Sequence, residues 1–187
     1  MNRALRRVLL AAVAAAGACS SSDAPPARSG GEEAPLAESG GEPVKGFRTS
    51  QLHYDARRVA EGIEISIPYV YRNATGDPVY FINCNEIIVP SLEQRTGDTW
   101  SSVWTGSSPA CMSLPVVVPP DGEYRDTIRV LARPDMDPRF NVVDPDGTYR
   151  LVWHGVVHSY RNEPPLGTPL PLDERTSNEF TVSAPQP

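Results

Sequence analysis

The residues of this 187-residue chain that could do chemistry are few: three histidines, three cysteines, and scattered aspartates and serines. His154 and His158 stand four apart, the spacing at which two imidazoles on a helix share one metal ion. Their context, "TYRLVWHGVV", reads as a strand instead, where positions i and i+4 share a face roughly 13 Å apart. One ion does not bridge that distance, so no metal site is expected there. Asp135, Asp137, Asp144 and Asp146 echo a calcium loop, with "DPDG" at its centre, but a third acid and a closing glutamate are missing at the required spacing. Aspartate beside proline and glycine is also ordinary turn chemistry. No serine sits in a Gly-x-Ser-x-Gly elbow, "TGSSP" lacking the flanking glycine, and no acid stands where a nucleophile triad would place it. No catalytic residue, cofactor or metal is assigned.

The cysteines are more informative. Cys19, Cys84 and Cys111 make an odd number, which in an exported chain requires an explanation. Three arginines (Arg3, Arg6, Arg7) precede the uncharged run Val8 to Ala18, which as helix would span only about 16 Å, half a bilayer core. A basic start, a short apolar stretch and small residues at its end form an export signal. The last four residues, "AGAC", resemble the lipobox of bacterial lipoproteins, with Ala16 where leucine is usual. That resemblance implies cleavage between Ala18 and Cys19 and diacylation of the Cys19 sulfur, so that membrane lipid becomes a partner. Two acyl chains would hold the protein stably. Ala16-x-Ala18 also fits an ordinary secretory site, which cuts the same bond and leaves Cys19 as a free thiol. With Cys19 acylated, Cys84 and Cys111 remain as an even pair for a disulfide in an oxidising compartment. Such a bridge would close 28 residues and contribute roughly 3–4 kcal/mol.

Ser20 to Lys45 holds five acids, two bases and only Leu36 and Val44 as larger aliphatics. It cannot bury enough apolar area to offset the entropy of ordering, and is expected to be a disordered tether spanning roughly 25–30 Å. From Gly46 the pattern changes. "GIEISIPYVYR" sets Ile63, Ile65, Ile67, Tyr69 and Tyr71 on one face by alternation, with Pro68 arguing for an edge or bulge. "NATGDP" is a turn and "VYFINC" a second strand. "EIIVPSLEQ", "RTGD" and "TWSSVW" form a hairpin. "EYRDTIRVLA", "TYRLVWHGVV" and "NEFTV" supply further strands, with Tyr149, Leu151 and Trp153 facing one way. About seven short strands, proline/glycine turns and no helix predict an all-β antiparallel sandwich. Twenty prolines suit this fold better than a helical one. The expected organisation is a signal at 1–18, the lipidated cysteine and linker at 19–45, the domain at 46–184 and a tail at 185–187.

"DPDGTYRLVW" resembles the tyrosine-corner turn and penultimate strand of immunoglobulin-like sandwiches, which implies that the Tyr149 hydroxyl bonds back across the corner. Residues 61–157 are similar in pattern to bacterial immunoglobulin-like domains that include the intracellular proteinase inhibitor family. The shared elements are "NATGDPV", "TWSSVW", "PDGEY" and the closing "GTYRL". The resemblance implies both the fold and a loop-presenting inhibitor function.

Net charge of −6 offers no basic footprint for nucleic acid. Trp100 and Trp104, with Ser102 between, would share a strand face, either as core or as an exposed recognition strip. The proline-rich connection from His158 to Ser177 is long enough to be functional, so Tyr160 and Arg161 join the two tryptophans as the candidate binding surface. The expected protein is exported, lipid-anchored and non-enzymatic, a binding or structural module whose partner is an envelope protein or polymer. The alternative is an extracytoplasmic protease inhibitor.

Overall fold

In a computed structural model, residues 45–84, 87–106, 113–133, 140–141, 143–161 and 166–185 are described. The export signal, Cys19 and the tether before Lys45 lie outside them, as do Cys111, Asp135, Asp137 and the last two residues of the tail. The chain divides into two units, Met1–Pro35 and Leu36–Pro187, and all of the described residues belong to the second.

The fold is all-β, arranged as a sandwich around one core. Its long spine is β4 (Gly62–Arg72), whose alternation buries Ile63, Ile65, Ile67, Tyr69 and Tyr71 as expected. On one side β4 pairs antiparallel with β9 (Glu123–Ala132) over ten register positions. Its other side is shared by β1 (Gly46–Thr49) and the short β3 (Arg57–Val59). Pro68 sits in the gap between those two, where Ser50 N–H donates to its carbonyl at 2.9 Å. The missing proline N–H therefore interrupts no ladder, and neither a sheet edge nor a bulge is needed at Pro68.

The second sheet runs β2 (His53–Asp55), β12 (Phe180–Ser183), β10 (Gly147–Val152), β6 (Ser91–Thr96), β7 (Thr99–Thr105), with β2 and β12 parallel and the rest antiparallel. A third, smaller sheet joins β11 (Val156–Val157), β5 (Val79–Phe81) and β8 (Val116–Val118). Twelve strands thus stand among the described residues, seven of them four residues or shorter. The seven expected from pattern alone merge several of these. "TYRLVWHGVV" is one such case: it breaks at Trp153–Gly155 into β10 and β11. His154 and His158 therefore do not share a strand.

Tyr149, Leu151 and Trp153 do point inward, and the Trp153 indole stacks on Phe47 with centroids 3.7 Å apart. Around that pair lie Tyr69, Tyr71 and Phe81. Burial pushes the Tyr69 hydroxyl above the ordinary tyrosine range, with repulsion from Tyr124 and Asp126 adding to it. Tyr71 is pushed up to about 12 by burial and then by Glu174.

Two turns evident in the sequence meet at one residue. Asn73, fully buried, donates its amide to the carbonyls of Asp77, Val118 and Pro119 at 2.9–3.1 Å. Its side-chain oxygen accepts from Thr75 N–H and from the Thr75 hydroxyl. "NATGDP" and "PPDG" are thereby tied into one polar hub, with Asp121 at φ 58° in the second turn.

Candidate functional site

The β6–β7 hairpin turns on Gly97, whose φ of 60° suits the first position of a two-residue loop. A bulge follows between Leu92 and Glu93, so that Leu92 stands opposite Trp104 while Glu93 stands opposite Ser102. That one-residue slip sends the two tryptophans to opposite faces. Trp104 packs against the core, its indole N–H donating to the Leu131 carbonyl at 3.2 Å. Trp100 lies on the outer face, with the Arg150 guanidinium 4.3 Å over its ring. The expectation of a shared face misses the bulge, for which nothing in "TWSSVW" gives a signal.

Arg150 is the centre of that outer face. It projects outward from β10 between inward Tyr149 and Leu151, directly across from Glu93 on β6. Its Nε and Nη2 donate to Glu93 Oε2 at 2.8 and 2.7 Å. Both side chains are largely covered, 22 % and 18 % exposed, so the pair is held more firmly than a surface ion pair. The Nη1 amino group keeps its donors, with no hydrogen-bond partner among the described residues. Arg150 also lines a cleft of about 510 Å³, together with Leu172, Asp173, Thr176 and Ser177. Asp173 opens the short 3-10 turn Asp173–Arg175, and the other three flank it. Ser177 fixes that turn to the strand by accepting from Leu151 N–H at 2.9 Å. The cleft thus offers a clamped cation, a carboxylate and one exposed apolar side chain within a single concavity, while the Thr176 and Ser177 hydroxyls already donate to the Leu172 and Asn178 carbonyls.

Tyr160 and Arg161 stand apart from this cluster by their contacts. Tyr160 stacks on Tyr80 of β5 at 6.3 Å, and Arg161 N–H donates to the Leu166 carbonyl. Much of the connection they belong to is held rather than free: His158 N–H bonds Thr168, Leu170 N–H bonds Val156, and Leu170 is buried. Of the four surface residues expected from sequence, Trp100 alone contacts a residue that lines the cleft, among the described residues. Glu93 and Arg150, which complete its cluster, escape a sequence reading because only the strand register brings them together.

Two of the three histidines, His53 and His154, make side-chain hydrogen bonds. His154 Nε2 lies 3.2 Å from the Ser91 hydroxyl, which resembles the start of a nucleophile pair. Arg175 Nη1, however, sits 3.4 Å from Nδ1. A guanidinium only donates, so where Nδ1 accepts that contact the ring proton sits on Nε2, facing Ser91. The imidazole is then a donor to the serine, the reverse of a general base. His53 bridges Thr181 (2.9 Å) with Asp55 and Ser183 (both 3.3 Å), clipping β2 to β12 on an exposed edge. No group of three or more potential metal ligands occurs among the described residues. Asp146 accepts from Ala184 N–H, which ties the turn before β10 to the chain just after β12.

The Tyr149 hydroxyl donates to the Pro145 carbonyl at 2.7 Å, four residues back. Burial, with Asp146 and Asp144 nearby, pushes it up to about 12. Cys84 is buried beside Ile87, with which it forms an isolated bridge. No family model, curated protein or solved structure matches the chain.

Proposed function

We propose that this chain is an envelope-anchored, non-catalytic lipoprotein whose immunoglobulin-like domain binds an envelope protein or polymer through the Arg150 cleft. The observation that carries the reading is the Trp100–Arg150–Glu93 cluster, a pre-positioned cation with spare donors at the wall of a largely apolar concavity. Binding surfaces favour such fixed aromatic and arginine anchors, because little side-chain entropy is lost when a partner arrives.

The immunoglobulin-like assignment is supported by the parallel β2–β12 pair, the order β12-β10-β6-β7 opposite β1-β4-β9, and the Tyr149 bond. Under this reading Cys19 is acylated, Ser20 to Lys45 is the tether, and Cys84 bridges Cys111. Intact-mass measurement on the membrane fraction tests the anchor: Cys19 should be N-terminal and carry added acyl mass. Non-reducing peptide mapping tests the bridge, and two free thiols would remove it.

Crosslinking in the native cell followed by mass spectrometry tests the cleft. Wild type should yield a discrete adduct that Arg150→Gln and the cleft-filling Thr176→Trp both lose, with melting temperatures showing the variants folded. An adduct unaffected by either change would refute the assignment. Loop-dependent inhibition of a protease panel would replace it with the inhibitor reading.

A further inference from the structure

The outer face of the first sheet carries a charge pattern unlike the rest of the chain. Strand register places Arg48, Arg57, Arg72, Arg125 and Arg129 on that face, with Glu64 and Glu123 as its acids. Five cations against two anions leave a net charge of +3 on one face, while the whole chain is −6. The two glutamates do not cancel this excess; they organise it. Glu64 pairs with both Arg57 and Arg129 and is only 14 % exposed, whereas those arginines are 71 % and 73 % exposed. Glu123 lies between Arg72 at 3.9 Å and Arg125 at 2.8 Å. Each acid therefore sits beneath or between two arginines and leaves one positive charge over, and Arg48 adds a third.

The uncharged outward positions between them are Ser66, Pro68, Val70, Thr127 and Leu131. This surface follows ten β4–β9 register pairs, a length of about 30 Å. A sheet face of that extent suits an extended anionic surface better than a compact ligand. The strand that brings the chain in from Cys19 forms part of it, since Gly46 of β1 stands opposite Arg72.

We infer that this arginine face rests on anionic lipid headgroups, with the domain lying against the bilayer and the second sheet turned away. Clustered arginines near an anionic leaflet gain electrostatic attraction that falls off within a Debye length. A guanidinium also binds phosphate oxygens bidentately. Only the way this face reaches the membrane rests on the lipid anchor proposed for Cys19; its charge pattern is independent of that.

The test uses the full chain on two vesicle compositions: phosphatidylcholine alone, and phosphatidylcholine with about 30 % phosphatidylglycerol. Flotation with neutral vesicles reports the anchor. Phenylglyoxal modification, read arginine by arginine by mass spectrometry, reports the face. Arg48, Arg125 and Arg129 should react several-fold more slowly on anionic than on neutral vesicles, and that protection should vanish in ~0.5 M salt. Arg95, on the outer face of the second sheet, should not change. The triple variant Arg48→Gln, Arg125→Gln, Arg129→Gln alters exposed side chains, so the fold should persist, and it should weaken binding to anionic vesicles several-fold without changing flotation on neutral ones. Equal reactivity of all four arginines on both vesicles, or equal slowing of Arg95, overturns the proposal. Protection by a soluble acidic protein but not by anionic vesicles overturns it in favour of a protein partner.

Discussion

On the outer face of the β1-β4-β3/β9 sheet, two glutamates serve four arginines and leave charge over; on the outer face of the β2-β12-β10-β6-β7 sheet, arginine and glutamate pair one to one. The first is an extended run of excess donors. The second is near neutral, with Glu93–Arg150 and Arg95–Glu179 matched and Thr148, Thr181, Ser183 and Ser102 around them. The same two residue types thus build two different surfaces. Stoichiometry and burial separate them: excess arginine over covered glutamate displays a field, whereas a matched and covered pair fixes one side chain beside a concavity. On the two readings proposed above, the first surface would face lipid and the second a partner.

The largest predicted effect asks whether both surfaces hang from one core. Trp153→Ala removes the indole stacked on Phe47 and should cost about 3–5 kcal/mol. Guanidinium unfolding read by fluorescence of Trp100 and Trp104, both on the second sheet, should coincide with unfolding read by circular dichroism. Separate transitions would break the picture of a single sandwich. Asn73→Ala should cost about 2–4 kcal/mol, since it leaves buried carbonyls of the two turns without donors. Because the hub sits at the turns beyond β4 and before β9, its loss should leave crosslinking through the cleft intact at temperatures where the domain stays folded.

A third effect comes from pH. Tyr71 and Tyr149 are both pushed up to about 12, above the ordinary value near 10, so folding favours their neutral forms. Their contribution is complete below pH 10 and is lost as pH rises from about 10 to about 12, by up to 1.4 kcal/mol per pH unit for each. Melting temperature should fall through that window, and Tyr149→Phe, while lowering stability at pH 8, should make the fall shallower. The smallest effects sharpen the comparison within the second face. Arg150→Gln should cost about 1–2 kcal/mol, because Glu93 stays behind largely covered, whereas Arg95→Gln should cost about 0–0.5 kcal/mol. Equal costs, measured by denaturant midpoints, would mean that burial does not distinguish the pairs.

Much of the framework is legible in the sequence because it rests on local rules. Alternation locates β4, β9 and β10 with their inward residues, and turn chemistry locates "NATGDP", "RTGD" and "PPDG". The arginine face is not, because Arg48, Arg57, Arg72, Arg125 and Arg129 come from four strands and meet only through register. The bulge before Glu93 is invisible for a related reason: the extra residue at Val103 changes no composition, yet it reverses the face of Trp104. Pro68 signals an edge by its missing donor, although a gap between two short strands satisfies the same requirement. The cleft needs the 3-10 turn at Asp173–Arg175 to fold onto β10, a long-range event that no spacing encodes.

The most direct test of a two-sided domain places a photo-crosslinking amino acid at Thr127, on the arginine face, or at Leu172, in the cleft, in cells that make the native protein. Lipid adducts are expected from position 127 and a discrete protein or polymer adduct from position 172. The same adducts from both positions, or lipid from 172 and none from 127, would contradict the assignment of one side to lipid and the other to a partner.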